Sequence, residues 1–260
     1  MPIVTLLTDF GHDSPYVAAM KGVMFSIEPT LTLVDISHSV PPQDVRYGAL
    51  MLEDVAPRFP PGTIHAAVVD PGVGTPRSIV FARIGAQCFI APDNGLLSRV
   101  ALAAVPAQIV RLADPRFWLK PVSNTFHGRD IIAPVAARLA QGLDPAQLGP
   151  AQPGLTMLDW PQPQLRAHLI EAEVLMVDPF GNLITNISAS LLAETAAGRQ
   201  LEIACHQEAT REFCRTYAER PAGTLIALIG SSARLELAVV GGSAAARLHA
   251  KAGDRLFVSW

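Results

Sequence analysis

The chain has 260 residues, half of them apolar and 17% charged, against roughly 25% charged in an average globular protein. That composition gives a large core under a lightly charged surface and excludes a disordered chain. The net charge of −3 leaves no basic footprint for nucleic acid. No stretch free of Asp, Glu, Lys and Arg reaches the ~20 residues a membrane-spanning helix needs.

Pro2 to Thr8 is a continuous apolar, β-branched run that reads as a buried strand of a parallel sheet, rather than as a signal peptide. Asp13 and Ser14 are placed to cap a helix with Pro15 in its first turn, carrying Tyr16, Val17, Met20, Val23 and Met24 at helical spacing. Leu31–Ile36 is expected as a second strand, Asp44–Val55 as a second helix and Thr63–Val69 as a third strand. Further strands fall at Ser78–Ile84, Gln87–Ile90 and Gln108–Leu112, with helices at about Leu96–Ala104 and at Arg129–Gln141. Strands alternating with helices predict an α/β domain, residues 1–150, with a mainly parallel sheet flanked by helices.

The texture then changes. Asp144 to Gln164 holds five prolines and no apolar period, which marks a linker or strap, with residues 151–164 as the linker between the two domains. Beyond it, short runs at Val174–Val177, Leu183–Ile187, Gln200–Ala204, Leu225–Ile229, Leu235–Val240 and Arg255–Val258 read as strands. Only Ser188–Ala197 looks helical. Residues 165–260 are therefore expected to form a smaller all-β domain, a barrel or sandwich. Cys88, Cys205 and Cys214 are an odd, scattered set without metal-ligand spacing, which fits a reducing cytoplasm.

Asp9 and Asp70 stand just beyond the carboxyl ends of predicted parallel strands, the edge where open α/β sheets bind ligands. Each precedes a glycine-containing turn, although aspartate also caps such turns for purely structural reasons. The segment from Asp70 to Arg77 (DPGVGTPR) is not a phosphate loop: it lacks the Lys-Ser/Thr pair of one motif and the third glycine of the other. It does bring a carboxylate and a guanidinium together through a tight turn. His127, in SNTFHGRD, stands at a helix start where Asp130 would serve the N-terminus. It gains chemical meaning only by converging with Asp70 and Arg77. Asp178-Pro-Phe-Gly-Asn182 and the later Asn186 fit a hairpin, or amides that read a purine edge. Gly230-Ser231-Ser232 fits a plain turn or a small anion-holding loop.

Taken in order, LLTDFGHDSPYVAAMKG (Leu6–Gly22), DISHSVPPQDV (Asp35–Val45), VVDPGVGTPR (Val68–Arg77), APDNGLLS (Ala91–Ser98), TFHGRD (Thr125–Asp130) and DPFGNLITNI (Asp178–Ile187) resemble the S-adenosyl-L-methionine hydroxide adenosyltransferase family. This is the hydrolytic branch of the superfamily that contains the fluorinase and chlorinase. The resemblance implies attack of water or hydroxide on the ribose 5′ carbon of S-adenosylmethionine, releasing adenosine and methionine. It implies no cofactor and no metal, and a homotrimer in which ligand lies between the first domain of one chain and the second of a neighbour. It assigns the handling of water to Asp70, Arg77 and His127, and the ribose hydroxyls to Asp9. Asp178 and Asn182 fall on the stretch that approaches adenosine and the methionine amine, Ser231 and Ser232 near the methionine carboxylate, and Asp13 near an amine-binding acid.

The departures from the halogenating relatives bear on the chemistry. Asp70 and Val73 replace a tyrosine and a threonine, His127-Gly128 replaces a Tyr-Ser pair, and Gln43 stands where a tryptophan is placed. An anionic Asp70 repels halide yet accepts a proton from water. Two rival expectations remain: a metal-dependent hydrolase using Asp9, His12, Asp13, Asp70 and His127, and a nucleoside-binding protein without turnover.

Overall fold

The computed structural model describes residues 2–260. The chain divides into two compact units, Met1–Leu158 and Asp159–Trp260.

In the first unit, β1 (Ile3–Thr8), β2 (Thr32–Ser37), β3 (Ile64–Val68), β4 (Ile79–Ile84), β5 (Gln87–Pro92) and β6 (Pro106–Arg111) form one sheet of order β2-β1-β3-β5-β4-β6. The pairs β1–β2, β1–β3 and β3–β5 are parallel, and β4 runs antiparallel to both its neighbours. The inner strands β1, β3, β4 and β5 are buried almost throughout, on both faces, which explains their apolar runs. Val4, Leu6, Ala66, Val68, Phe81 and Ile90 point to one side, where they pack with Met20 and Met24 of α1 (Tyr16–Ile27) and with α4 (Ala133–Ala140). The alternate residues Leu7, Ala67, Val69, Val80 and Phe89 pack on the other side with α2 (Val45–Val55) and α3 (Ser98–Ala103). Full burial of each large side chain contributes roughly 1.5–3 kcal/mol.

Two local expectations are corrected. Helix α1 is not capped by Asp13 or Ser14: its N-cap is Pro15, already in the right-handed region, with no side-chain cap bond. The Ser14 hydroxyl instead donates back to the Phe10 carbonyl at 2.9 Å, and Asp13 is exposed. The helix expected from Arg129 starts with a π-turn, Gly128–Ile132, before α4 begins. The wide turn carries Asp130 inward, so its carboxylate serves no helix N-terminus. It accepts from the Ser123 amide at 2.7 Å and pairs with Arg129.

The proline-rich stretch continues the first unit along β6. The Arg111 amide donates to Pro150, Ala113 to Leu148, and Gln152 back to Ile109.

In the second unit, β7 (Gln164–Arg166), β8 (Leu169–Val177), β9 (Leu183–Ser188), β10 (Glu202–Cys205), β11 (Glu208–Thr210), β12 (Leu225–Ile229), β13 (Arg234–Val239) and β14 (Arg255–Ser259) make an antiparallel sheet of order β11-β10-β14-β8-β9-β13-β12. Strand β7 pairs with β8. The sheet curls into a nearly closed barrel around Ile170, Val174, Leu183, Ile203, Leu237 and Leu256. Helix α5 (Ala189–Ala196) lies where helical periodicity places it, and its N-cap Ser188 accepts from Leu191. The short α6 (Ala244–Leu248) was hidden by a run too short for periodicity.

Candidate active site

The carboxyl ends of β1 and β3 lie side by side, because the two strands are parallel neighbours. Asp9 follows β1 directly, and Asp70 follows β3 with Val69 between. Both line one cavity of about 380 Å³, together with His127 from the segment ahead of the π-turn. The three loops are far apart in sequence; the sheet order brings the first two together, and close backbone packing brings in the third.

Arg77 connects two of these groups. Its Nε donates to Asp70 Oδ1 at 2.6 Å and its Nη2 to Asp70 Oδ2, a two-pronged clasp. The same Nη2 stands 3.0 Å from His127 Nδ1. Both side chains of the Asp70–Arg77 pair are about nine-tenths buried. Fork-on-carboxylate pairs are strong and geometrically demanding. Here the fork fixes which way Asp70 faces.

A guanidinium has donors only, so His127 Nδ1 must accept and the ring proton resides on Nε2. Burial, followed by the charge of Arg77, pushes the His127 pKa down from its usual value. Asp70 and Asp130 oppose the shift in part. His127 is thus a neutral imidazole at neutral pH.

The glycines after Asp70 build this geometry. Gly74 has φ +80°, and a Cβ there would stand 2.8 Å from the Asn124 carbonyl oxygen. The loop after β3 therefore lies backbone against backbone on the segment leading to His127. Close approach, not phosphate binding, is what the Gly-Val-Gly string supplies.

Asp9 is oriented by the Gln43 amide, which donates to Oδ2 at 2.9 Å from a residue at φ +66°. Behind it runs a chain of contacts that the sequence reading did not identify. The Thr8 hydroxyl and His38 Nδ1 share a 2.9 Å hydrogen bond. His38 Nε2 stands 3.1 Å from Asp35 Oδ1, and Lys21 pairs with Asp35 Oδ2 at 2.6 Å. Burial would raise the Asp35 carboxyl, but hydrogen bonds from Lys21 and His38 outweigh it and hold it below its ordinary value. The His38 carbonyl accepts from Gly11, closing the loop that carries Asp9. The signal was the His inside DISHSVPPQDV, and it was unreadable without knowing that β2 lies beside β1.

Asp13 falls on the exposed turn ahead of α1, outside the residues lining this cavity. Among the described residues, no cluster of three His, Cys, Asp or Glu side chains is arranged to hold a metal ion.

The second unit has its own cavity of about 850 Å³, lined by Asp178, Asn182, Tyr217, Ser231 and Glu236 among others. The Asp178 carboxylate is occupied within its turn, accepting from the Phe180 and Asn182 amides at 2.9 and 2.8 Å and from Asn182 Nδ2 at 2.8 Å. Asn186 satisfies backbone, accepting from Glu173 and donating to Pro161. Gly230 to Arg234 forms a tight turn between β12 and β13, with Ala233 at φ +57°. That turn leaves Ser231 on the cavity, with Ser232 outside its lining.

Two family profiles match the chain. The SAM hydroxide adenosyltransferase N-terminal domain covers residues 4–149, and the C-terminal domain covers residues 172–257. An (R)-S-adenosyl-L-methionine hydrolase of Salinispora tropica is 41% identical over 99% of this chain and 98% of its own. One from Thermus thermophilus is 40% identical over 96% of each. A fluorinase of Nocardia brasiliensis is 29% identical over 97% of this chain and 95% of its own. Among solved structures, an uncharacterized conserved protein from Thermotoga maritima superposes with a TM-score of 0.94 at 33% identity, covering 99% of this chain and all of that one. The two profile matches together with these full-length identities establish that the chain belongs to the SAM hydroxide adenosyltransferase family.

Proposed function

We propose that this protein hydrolyses S-adenosyl-L-methionine, in the (R)-sulfonium form acted on by its named relatives, to adenosine and L-methionine. The observation that carries the reading is the Asp70–Arg77–His127 constellation at the edge of the sheet. The substrate's leaving group departs as a neutral thioether and needs no general acid. The difficult partner is water, with a pKa of about 15.7 in bulk.

Each group contributes one part. Asp70 has two oxygens with about four lone-pair positions, of which Arg77 uses two, so the carboxylate can still accept a proton from water. His127 offers its Nε2 proton to the developing hydroxide, and Arg77 places a fixed positive charge beside both. Oxygen bonds to the 5′ carbon as the carbon–sulfur bond breaks. The proton passes to Asp70 and then to solvent. Base assistance of this kind supplies roughly 10²–10⁴-fold, with positioning adding to it. Asp9 accepts from the ribose hydroxyls, while Asp178, Asn182 and Ser231 contribute contacts to adenosine and methionine. The reaction so written calls for no cofactor or metal.

We further infer a homotrimer working in the cytoplasm. Three free, buried cysteines suit a reducing compartment, and among the described residues no helix is long and apolar enough to cross a membrane.

The test is incubation of the purified protein with each sulfonium epimer, followed by chromatography of the nucleosides. Adenosine should form from the (R) epimer, be lost in Asp70→Ala and His127→Ala, and be little changed by chloride. Appearance of 5′-chloro-5′-deoxyadenosine would favour halogenation. Binding without turnover would leave a nucleoside-binding protein, and activity abolished by a chelator would bring back the metal-dependent hydrolase.

A further inference from the structure

Three aromatic rings from three separate segments meet at the cavity that holds Asp70 and His127. Phe10 follows Asp9, Tyr16 opens α1, and Phe126 directly precedes His127; all three line the cavity. Their ring centroids are 5.6 Å (Phe10–Tyr16), 5.0 Å (Tyr16–Phe126) and 5.7 Å (Phe10–Phe126) apart, each pair edge to face. Phe10 and Phe126 lean on the core of the sheet. Tyr16 does not: it is 48% exposed. Burying a core therefore does not account for an aromatic residue at that position.

The electrostatics of the cavity point to what the rings would meet. Arg77 neutralises Asp70, while Asp9 brings a carboxylate that accepts from the neutral Gln43 backbone amide. Aromatic faces add further negative potential without adding hydrogen-bond acceptors. The cluster already attracts one cation, the Arg129 guanidinium, 5.0 Å from the Phe126 ring centroid. A sulfonium is a weakly hydrated cation with carbon substituents and no N–H. Hydrogen bonds cannot recognise it, and aromatic rings can, as they do quaternary ammonium groups.

We propose that Tyr16, supported edge-on by Phe10 and Phe126, binds the substrate's sulfonium and selects this cation over the neutral thioether of the same nucleoside. The proposal rests on the hydrolase reading for the substrate's identity. It makes Tyr16 a specificity residue. The sulfur loses its charge as the carbon–sulfur bond breaks, so the contact is stronger to bound substrate than to the transition state. Removing it raises KM and leaves kcat unchanged or slightly higher.

The experiment compares KM for S-adenosylmethionine with the inhibition constant of S-adenosylhomocysteine, the neutral thioether, in wild type, Tyr16→Phe and Tyr16→Leu. Tyr16→Leu should raise KM by roughly 3- to 30-fold, the range of a cation–π contact, with the S-adenosylhomocysteine constant within about twofold of wild type. Tyr16→Phe, which keeps the ring, should retain most of the affinity and guards against a folding artefact. Equal weakening of both ligands, or of neither, overturns the proposal and leaves hydrolysis untouched. If the wild type forms no adenosine, the hydrolase reading fails instead, and direct titration of the same two ligands still decides whether Tyr16 distinguishes cation from thioether.

Discussion

Arg77 reaches Asp70 and His127 with one guanidinium, its Nη2 lying between the carboxylate and the imidazole Nδ1. This shared donor fixes the tautomer of His127 and the direction in which Asp70 faces. It keeps Nδ1 as an acceptor, places the ring proton on Nε2 and leaves Asp70 as the proton acceptor in the constellation. A general base acting from His127 Nδ1 would require Arg77 to leave. In the proposed hydrolysis this geometry assigns the proton to Asp70, with His127 as the donor that steadies hydroxide.

Replacing Arg77 by lysine tests the fork. Lysine keeps the charge but presents one ammonium in place of a planar pair of donors, so it cannot hold Asp70 and His127 together. We expect kcat to fall by roughly 10²-fold or more, within the range for a lost base-positioning group, with KM little changed. Steady-state kinetics at saturating substrate read this directly. Near-normal kcat in Arg77→Lys would show that charge alone suffices.

The pH profile follows from the downward shift of His127. Burial and Arg77 both disfavour its protonated form, so the neutral, Nε2-protonated state persists below the ordinary histidine value of about 6.5. As pH falls through the lowered pKa, the imidazolium forms, repels Arg77 and breaks the constellation. Activity should be level near neutrality, with its acid limb lying below pH 6.5. In Arg77→Lys, the loss of the shared Nη2 bond frees Nδ1, and the limb should move. Initial rates across pH 4.5–8, with folding checked by circular dichroism at each pH, provide the measurement.

Gly74 is the contact between the two loops. Alanine there must occupy φ +80° and place its methyl 2.8 Å from the Asn124 carbonyl oxygen, which is backbone and cannot rotate aside. The left-handed conformation alone costs about 1–2 kcal/mol, and the clash shifts Asp70 relative to His127. The expected outcome for Gly74→Ala is a fall in kcat far larger than the drop in melting temperature would explain. Gly11→Ala, also at positive φ but with open space around its Cβ, controls for backbone strain.

His38 supports Asp9 from below through Thr8 and Gly11. Its replacement by alanine keeps the backbone carbonyl that accepts from Gly11 but removes the ring bond to Thr8, loosening the loop after β1, which carries the proposed ribose contact, while Asp70, Arg77 and His127 keep their bonds. KM for substrate should rise several-fold and kcat should hold within about threefold, on the argument that lost ground-state binding leaves kcat alone. A large kcat effect in His38→Ala would instead tie this chain of contacts to the chemistry itself.

Much of this architecture was readable beforehand, because buried parallel strands announce themselves. The runs ending at Thr8 and Val69 gave the two acids their position at the sheet edge, and DPGVGTPR gave the carboxylate and guanidinium a common turn. What could not be read was convergence. His127 is 50 residues from Arg77, and only the sheet order and the backbone contact at Gly74 bring them within hydrogen-bond distance. The same holds for Asp35 and His38, whose partners Lys21 and Thr8 lie on other elements. Asp130 misled for a local reason: periodicity has no signature for a π-turn, so its carboxylate was placed at a helix start that it does not serve.

His65 supplies a stability test independent of catalysis. It is fully buried on β3, stacked on Phe89 with centroids 5.0 Å apart and sharing a 2.7 Å hydrogen bond with the Thr5 hydroxyl. Burial pushes its pKa down to about 4. The folded protein therefore keeps His65 neutral where the unfolded chain, titrating near 6.5, takes up a proton. Between those two values the unfolded state binds more protons, so stability must fall as the pH drops from about 6.5 to about 4 and level off below. The span corresponds to about 3 kcal/mol. His65→Gln removes the titrating group at the cost of some packing. It should start from lower stability at pH 7 and then lose less of it on acidification. Urea unfolding of both proteins at pH 7, 5.5 and 4 reads the difference, and parallel losses in the two would mean that other groups carry the acid sensitivity.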